Sequence, residues 1–160
     1  MSSNPNDVRI VYKMHPLPSH PYAQLAAQAA LAAQEQGKFL EMHELLMSRM
    51  SSYNKLGTDK AAALGLPPEQ RVSPEVQEAI FADFATELGL DVNRFKATMK
   101  SEATKKRIAA EALEANAIGA TGTPASFVNG RYIRGAAPLE SFQGLVDEAL
   151  KGGAAKAATK

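Results

Sequence analysis

Apolar and polar positions change period along this chain, and each change marks an element. Val8, Ile10 and Tyr12 alternate with Arg9, Val11 and Lys13, the period-two pattern of a strand over residues 8–14. Prolines at 16, 18 and 21 stop it, and Pro21 suits the first position of a helix. That helix is Ala-rich and is predicted to reach about Gln36, with Gly37 as its stop. Phe39, Met42, His43, Leu46, Met47 and Met50 then recur at helical spacing, giving one continuous inward face. Residues 51–72 mix Gly57, Gly65 and Pro67-Pro68 and are predicted to form an irregular surface excursion with one helical turn.

Ser73-Pro74 has the form of an N-cap followed by proline at the first helical position. Val76, Ile80, Phe84 and Leu88 continue it as a stripe that ends at Gly89. Asp91 caps the next helix, with Leu90 and Phe95 at staple spacing. A helix over residues 101–117 follows, with Ile108 and Leu113 inward and Gly119 as its stop. The pattern then turns to a short strand, Ala125–Val128, an Asn129-Gly130 hairpin turn, and a return strand, Arg131–Arg134. A last helix places Leu139, Phe142, Val146 and Leu150 on one face; Gly152-Gly153 are expected to end it, leaving a flexible tail over 152–160. The order is strand, about five helices, hairpin, helix, with no internal repeat.

Composition narrows the function classes. The chain has 160 residues, 45% of them hydrophobic, which fits one globular domain. Its 18 basic and 17 acidic residues leave a formal charge of +1, and no basic patch supports nucleic-acid binding. No apolar run reaches the roughly 18 residues of a membrane span. There is no cysteine, so disulfides, thiolate metal sites and cysteine nucleophiles are all excluded for this chain. The leading MSSNPND shows no secretory pattern and is expected to be disordered or extended over residues 1–7; the compartment stays unknown.

His15, His20 and His43 do not share a metal-ligand spacing, and His43 lies within an apolar stripe, so a packed histidine is expected there and no metal site. Met42, Met47 and Met50 lie on that stripe and read as core. Lys100, Lys105, Lys106 and Arg107 read as a solvated helix face, and Arg131 and Arg134 as solvent-facing flanks of the hairpin. No cofactor is expected.

Three stretches carry a family resemblance: VRIVYKMHPLPSHPYA with the later GKFLEMHELL, LGLDVNRFKATMKSE, and GATGTPASFVNGRYIRGAAPLESFQGLVDEAL. Together they resemble the DsbA-like branch of the thioredoxin superfamily from just after its first helix to its end. The resemblance implies an α/β, thioredoxin-like (DsbA-like) fold over 8–151 with a large helical insertion at about 19–118. It implies an incomplete sheet of about three strands, including the C-terminal antiparallel hairpin. It further implies that Thr123-Pro124 is the cis-proline loop, where the backbone at Thr123 pairs with an extended substrate peptide.

Members of that family begin with a strand and a Cys-x-x-Cys at a helix start, where the helix N-terminus lowers the thiol pKa. Only MSSNPND precedes Val8, so that strand, motif and helix are not in this sequence. The family sheet order is second, first, third, fourth, which makes the missing strand a central one. The expectation is a DsbA-like oxidoreductase-family domain that is redox-inactive as this chain. One alternative is a non-catalytic thioredoxin-like module for peptide binding or association. A second is a relative of kappa-type glutathione transferases and isomerases, whose serine also lies in the absent region. The expected partners are a second copy in a homodimer or a complementing polypeptide, and an extended peptide at Thr123 and Pro124; neither nucleic acid nor membrane is expected. Family members are mostly periplasmic or extracytoplasmic.

Overall fold

The structure, a computed structural model, describes residues 6–157, with side chains as far as Lys151. The described helices are α1 (Ala23–Gln34), α2 (Phe39–Ser48), α3 (Tyr53–Ala63), α4 (Pro74–Glu87), α5 (Val92–Lys100), α6 (Glu102–Ala117) and α7 (Leu139–Ala157). Short 3-10 turns at Met50–Ser52 and Pro68–Val72 flank α3, and the strands are β1 (Ala125–Val128) and β2 (Arg131–Arg134). The chain divides into two units: a helical unit of residues 14–113, and a second unit that joins the described residues before Met14 to those from Glu114 onward.

The helical unit is built on α1. Ala29, Ala32 and Ala33 are fully buried there, and small side chains let neighbouring helices approach closely. Met42 of α2, Val76, Ile80 and Phe81 of α4, and Phe95 and Met99 of α5 fill the space around them. The caps agree with the sequence: Ser73 Oγ accepts from Val76 N–H at 3.3 Å, and Asp91 Oδ1 accepts from Arg94 N–H at 3.0 Å. Ser101 Oγ accepts from Thr104 N–H at 3.1 Å and starts α6.

Residues 51–72 depart from the expected excursion: they hold the three-turn helix α3. Gly57, which reads as a helix breaker, is instead a point of close approach. A Cβ there would lie 2.4 Å from the Arg71 carbonyl oxygen and 2.5 Å from the Tyr22 hydroxyl. The Tyr22 hydroxyl donates toward the carbonyls of Tyr53 and Arg71, each at 3.0 Å, and the Tyr53 hydroxyl donates to Leu46 O at 2.8 Å. The two rings stand 5.0 Å apart, and Tyr53 packs edge-on to Phe81.

The stripe of α2 is narrower than its spacing predicts. Met42 and Leu46 are buried, but Met47 and Met50 are more than half exposed, because no neighbour of α2 covers the last turn on that side. Leu113 on α6 and Leu139 on α7 also face outward rather than inward.

In the second unit, residues 8–14 do not form the expected strand. The sheet of the described residues has two strands, not three. β-propensity does not suffice without a neighbouring edge to accept the backbone groups. The backbone of Val8, Arg9, Ile10 and Val11 has no hydrogen-bond partner among the described residues. The end of the segment is held to α6 by charge. Lys13 Nζ meets Glu114 at 2.8 Å, and Met14 N–H donates to Glu111 Oε2 at 2.6 Å. Glu111 is buried and its other oxygen accepts from Arg107 Nε at 2.9 Å. At the other end, α7 runs through Gly152-Gly153 to Ala157 instead of stopping there, in keeping with the high helix propensity of the Ala-rich tail. Residues 1–5 of the expected N-terminal segment and 158–160 of the expected tail lie outside the described residues.

Two predictions follow from the helical unit. Leu46→Ala removes a buried side chain and is expected to cost about 2–5 kcal/mol in denaturant unfolding. Met47→Ala, one residue on but exposed, is expected to cost less than about 0.5 kcal/mol. Equal effects would show that the α2 face is assigned wrongly. The second concerns alkali. Burial pushes the phenol of Tyr53 upward, with the neighbouring Tyr22 adding to the shift; burial also raises Tyr22, against the opposing charge of Arg71. Above the ordinary tyrosine value of about 10 the unfolded chain loses these protons first, so stability falls as pH rises. The stabilisation is complete below that value. A urea midpoint that drops between about pH 9 and about pH 11, with a shallower drop in Tyr53→Phe, is the expected result.

Candidate functional site

Asn129 and Gly130 both adopt left-handed backbone, at φ 46° and 84°, the type I′ geometry that lets two strands reverse without splaying. The register pairs Ala125 with Arg134, Ser126 with Ile133, Phe127 with Tyr132 and Val128 with Arg131. Alternation puts Ser126, Val128, Arg131 and Ile133 on one face. On that face an ion pair joins Arg131 to Glu148 of α7, so Arg131 is exposed but not a bare solvent charge. Phe142, Val146 and Leu150 of α7 are half-buried. The opposite face carries Phe127 and Tyr132, stacked at 4.7 Å with 12° between their planes and both partly exposed.

Thr123 and Pro124 stand exposed directly before β1, and the peptide bond between them is cis. The Pro124 carbonyl accepts from Gly135 N–H at 2.9 Å, extending the ladder one pair beyond Ala125 and Arg134. This bond fixes the parity of β1. In an antiparallel ladder, hydrogen-bonded and non-hydrogen-bonded pairs alternate. Pro124, Ser126 and Val128 therefore turn their backbone groups toward β2. Thr123, Ala125 and Phe127 turn theirs to the other edge, where no strand neighbours β1 among the described residues. The Thr123 backbone makes no hydrogen bond within them.

The remaining candidates do not assemble. His20 is exposed, and His43 is half-buried rather than a core residue, its ring 6.0 Å from that of Phe39. His15 has both ring nitrogens buried without a hydrogen-bond partner among the described residues. No group of three or more His, Cys, Asp or Glu that could hold a metal occurs among the described residues. The basic run is exposed and in part paired: Lys100 with Glu78, Lys105 with Glu102, Arg107 with Glu111. A shallow groove that the sequence did not reveal runs over Leu56, Ile80 and Phe84. Its cations are already neutralised, Arg49 by both oxygens of Glu87 at 3.0 and 3.1 Å and Lys60 by Asp83. The residues of that groove come from α3, α4 and the end of α2, so no local motif announces it.

The comparisons with known proteins agree with the hairpin and helix arrangement. The DSBA-like thioredoxin domain family model matches residues 69–147, which include α4 to α6, the Thr123-Pro124 loop and the hairpin. The chain thus carries a domain of the thioredoxin superfamily. Its branch is the DsbA-like one, with a helical insertion. Among curated relatives, the Na(+)/H(+) antiporter NhaA 1 of Salinispora arenicola is 33% identical over 147 residues, 91% of this chain and 19% of that protein. The Na(+)/H(+) antiporter NhaA 3 of Salinispora tropica is 34% identical over 144 residues, 89% of this chain and 19% of that protein. The chain spans about a fifth of the length of the curated relatives it matches. No solved structure matches it. Among the described residues, no helix is long and apolar enough to cross a membrane.

Proposed function

We propose that this chain, as it stands, is a redox-inactive DsbA-like domain that works by association, through the Thr123-Pro124 loop and the open edge of β1. The observation that carries the first half is the absence of any cysteine in 160 residues. Thiol–disulfide exchange begins with attack by a thiolate, and nothing else in the chain can take that part. The second half is supported by the parity of β1. The Thr123, Ala125 and Phe127 backbones face one unoccupied edge, and an added strand would find donors and acceptors there in register. The stacked Phe127 and Tyr132 beside that edge offer apolar surface to alternate side chains of an extended peptide. Curated relatives five times as long, named as antiporters, fit a module that acts beside other segments rather than as a free enzyme.

Two measurements test this. The purified chain is expected to leave insulin disulfides intact in a dithiothreitol-coupled assay; turnover above background would refute redox inactivity. A fluorescent peptide of β-branched residues is expected to bind, and Ala125→Pro is expected to weaken it roughly tenfold. That substitution removes an edge N–H without touching a β1–β2 bond, and proline is tolerated where the N–H faces outward. Equal binding by both would sink the edge as the site.

A further inference from the structure

The open edge of β1 and the unladdered segment 8–11 belong to the same chain, and each lacks what the other offers. We infer that the occupant of the β1 edge is a second copy of this chain, which donates residues 8–11 as an added strand and receives the same in return. This rests on the proposed association through β1 and names the partner.

The chemistry is complementary at three levels. The backbone of Val8, Arg9, Ile10 and Val11 engages no group among the described residues, while Thr123, Ala125 and Phe127 present free donors and acceptors along one edge. The donor sequence is β-branched at Val8, Ile10 and Val11, which suits a pleated surface. Its far end is anchored, by Lys13 to Glu114 and by Met14 to Glu111, so the strand is tethered just beyond the residues that pair.

Apolar side chains are left exposed on the same unit. Ile10, Val11, Ile118, Phe127, Tyr132 and Leu139 are each 40% exposed or more, up to 75% for Leu139. Charge does not oppose the match. β1 reads Ala-Ser-Phe-Val with no charged residue, the donor carries only Arg9, and the whole chain bears +1. Reciprocal exchange of one donor for one acceptor is self-complementary, so a two-fold axis closes it without leading to filaments.

Light scattering coupled to size exclusion on the full chain is expected to give the mass of two chains at high micromolar concentration. Ile10→Pro and Val11→Pro each delete one donor N–H, one of each strand parity, and both lie outside the buried core. The one whose N–H faces β1 is expected to weaken dimerisation roughly tenfold or more with unchanged helical circular dichroism. The cysteine-free background allows a second reading that does not depend on a disruptive variant. Under a mild oxidant such as oxidised glutathione, chains carrying a single cysteine at Arg9, Ile10 or Val11, mixed with chains carrying only Ala125→Cys, are expected to form mixed disulfides at one of these positions in preference to either like pair. A monomer that persists at high concentration overturns the inference, and so does a dimer indifferent to both prolines or one that cross-links only like with like. A monomer that still binds the peptide leaves the association reading intact and removes only the second copy. A proline-sensitive dimer that binds no peptide does the reverse for the peptide. With both present, added peptide is expected to compete the dimer apart.

Discussion

Close approach of helices to the alanine face of α1 is the constraint on which the helical unit depends. Ala29, Ala32 and Ala33 lose almost no side-chain entropy on burial, and they let α2, α4 and α5 come near enough for Met42, Phe81, Phe95 and Met99 to meet around them. The same device recurs at Gly57, where the missing Cβ admits the Arg71 carbonyl and the Tyr22 hydroxyl. Two tyrosine hydroxyls then donate to backbone carbonyls at these close approaches. Small residues and hydroxyl groups thus act together: the first bring backbone into the core, and the second meet the polar cost of doing so.

The second unit has a different basis. From Glu114 to Lys151, Ala120 is the one buried residue among those described, and its order comes from local bonds: a helix, a type I′ turn and a short ladder. Turn chemistry and ladder geometry can define a hairpin's shape without a core, but two strands alone are marginal in water. Apolar side chains at Phe127, Tyr132 and Leu139 stay in solvent because nothing in the described residues lies over them. A unit so built has surface and backbone capacity left over, and its stability is the part most open to a partner's contribution.

Legibility in the sequence followed the same division. Ser73-Pro74, Asp91 and Asn129-Gly130 fix local backbone by their own chemistry, and each element stands where those residues put it. Periodicity was less exact at Met47, Met50, Leu113 and Leu139, since a stripe shows which side of a helix is apolar but not whether a neighbour reaches its last turn. Residues 51–72 were misread because glycine and proline count as breakers until packing gives them a use. Residues 8–14 had the right side chains for a strand, but a strand is a property of two segments, and the second was not legible from the first. At the candidate site, Thr123 and Pro124 came from resemblance, whereas the shared orientation of Thr123, Ala125 and Phe127 depends on the register and is visible only in the fold.

That orientation also bears on how binding and chemistry separate in such a domain. Exchange chemistry needs one reactive side chain with a lowered pKa, and a single substitution abolishes it. Recognition by strand addition needs only backbone groups at the right parity, and almost any side chain at Ala125 or Phe127 preserves them. The two properties therefore respond very differently to sequence change. In the proposed reading, a chain without cysteine keeps the second while lacking the first, because the ladder bond between Pro124 and Gly135 sets the edge independently of any thiol. Specificity then has to come from what flanks the edge. Here that is a stacked aromatic pair, and Arg134, which shares its face. Such a surface favours apolar and β-branched strands over any particular sequence, which is the kind of strand the chain itself carries at Val8, Ile10 and Val11.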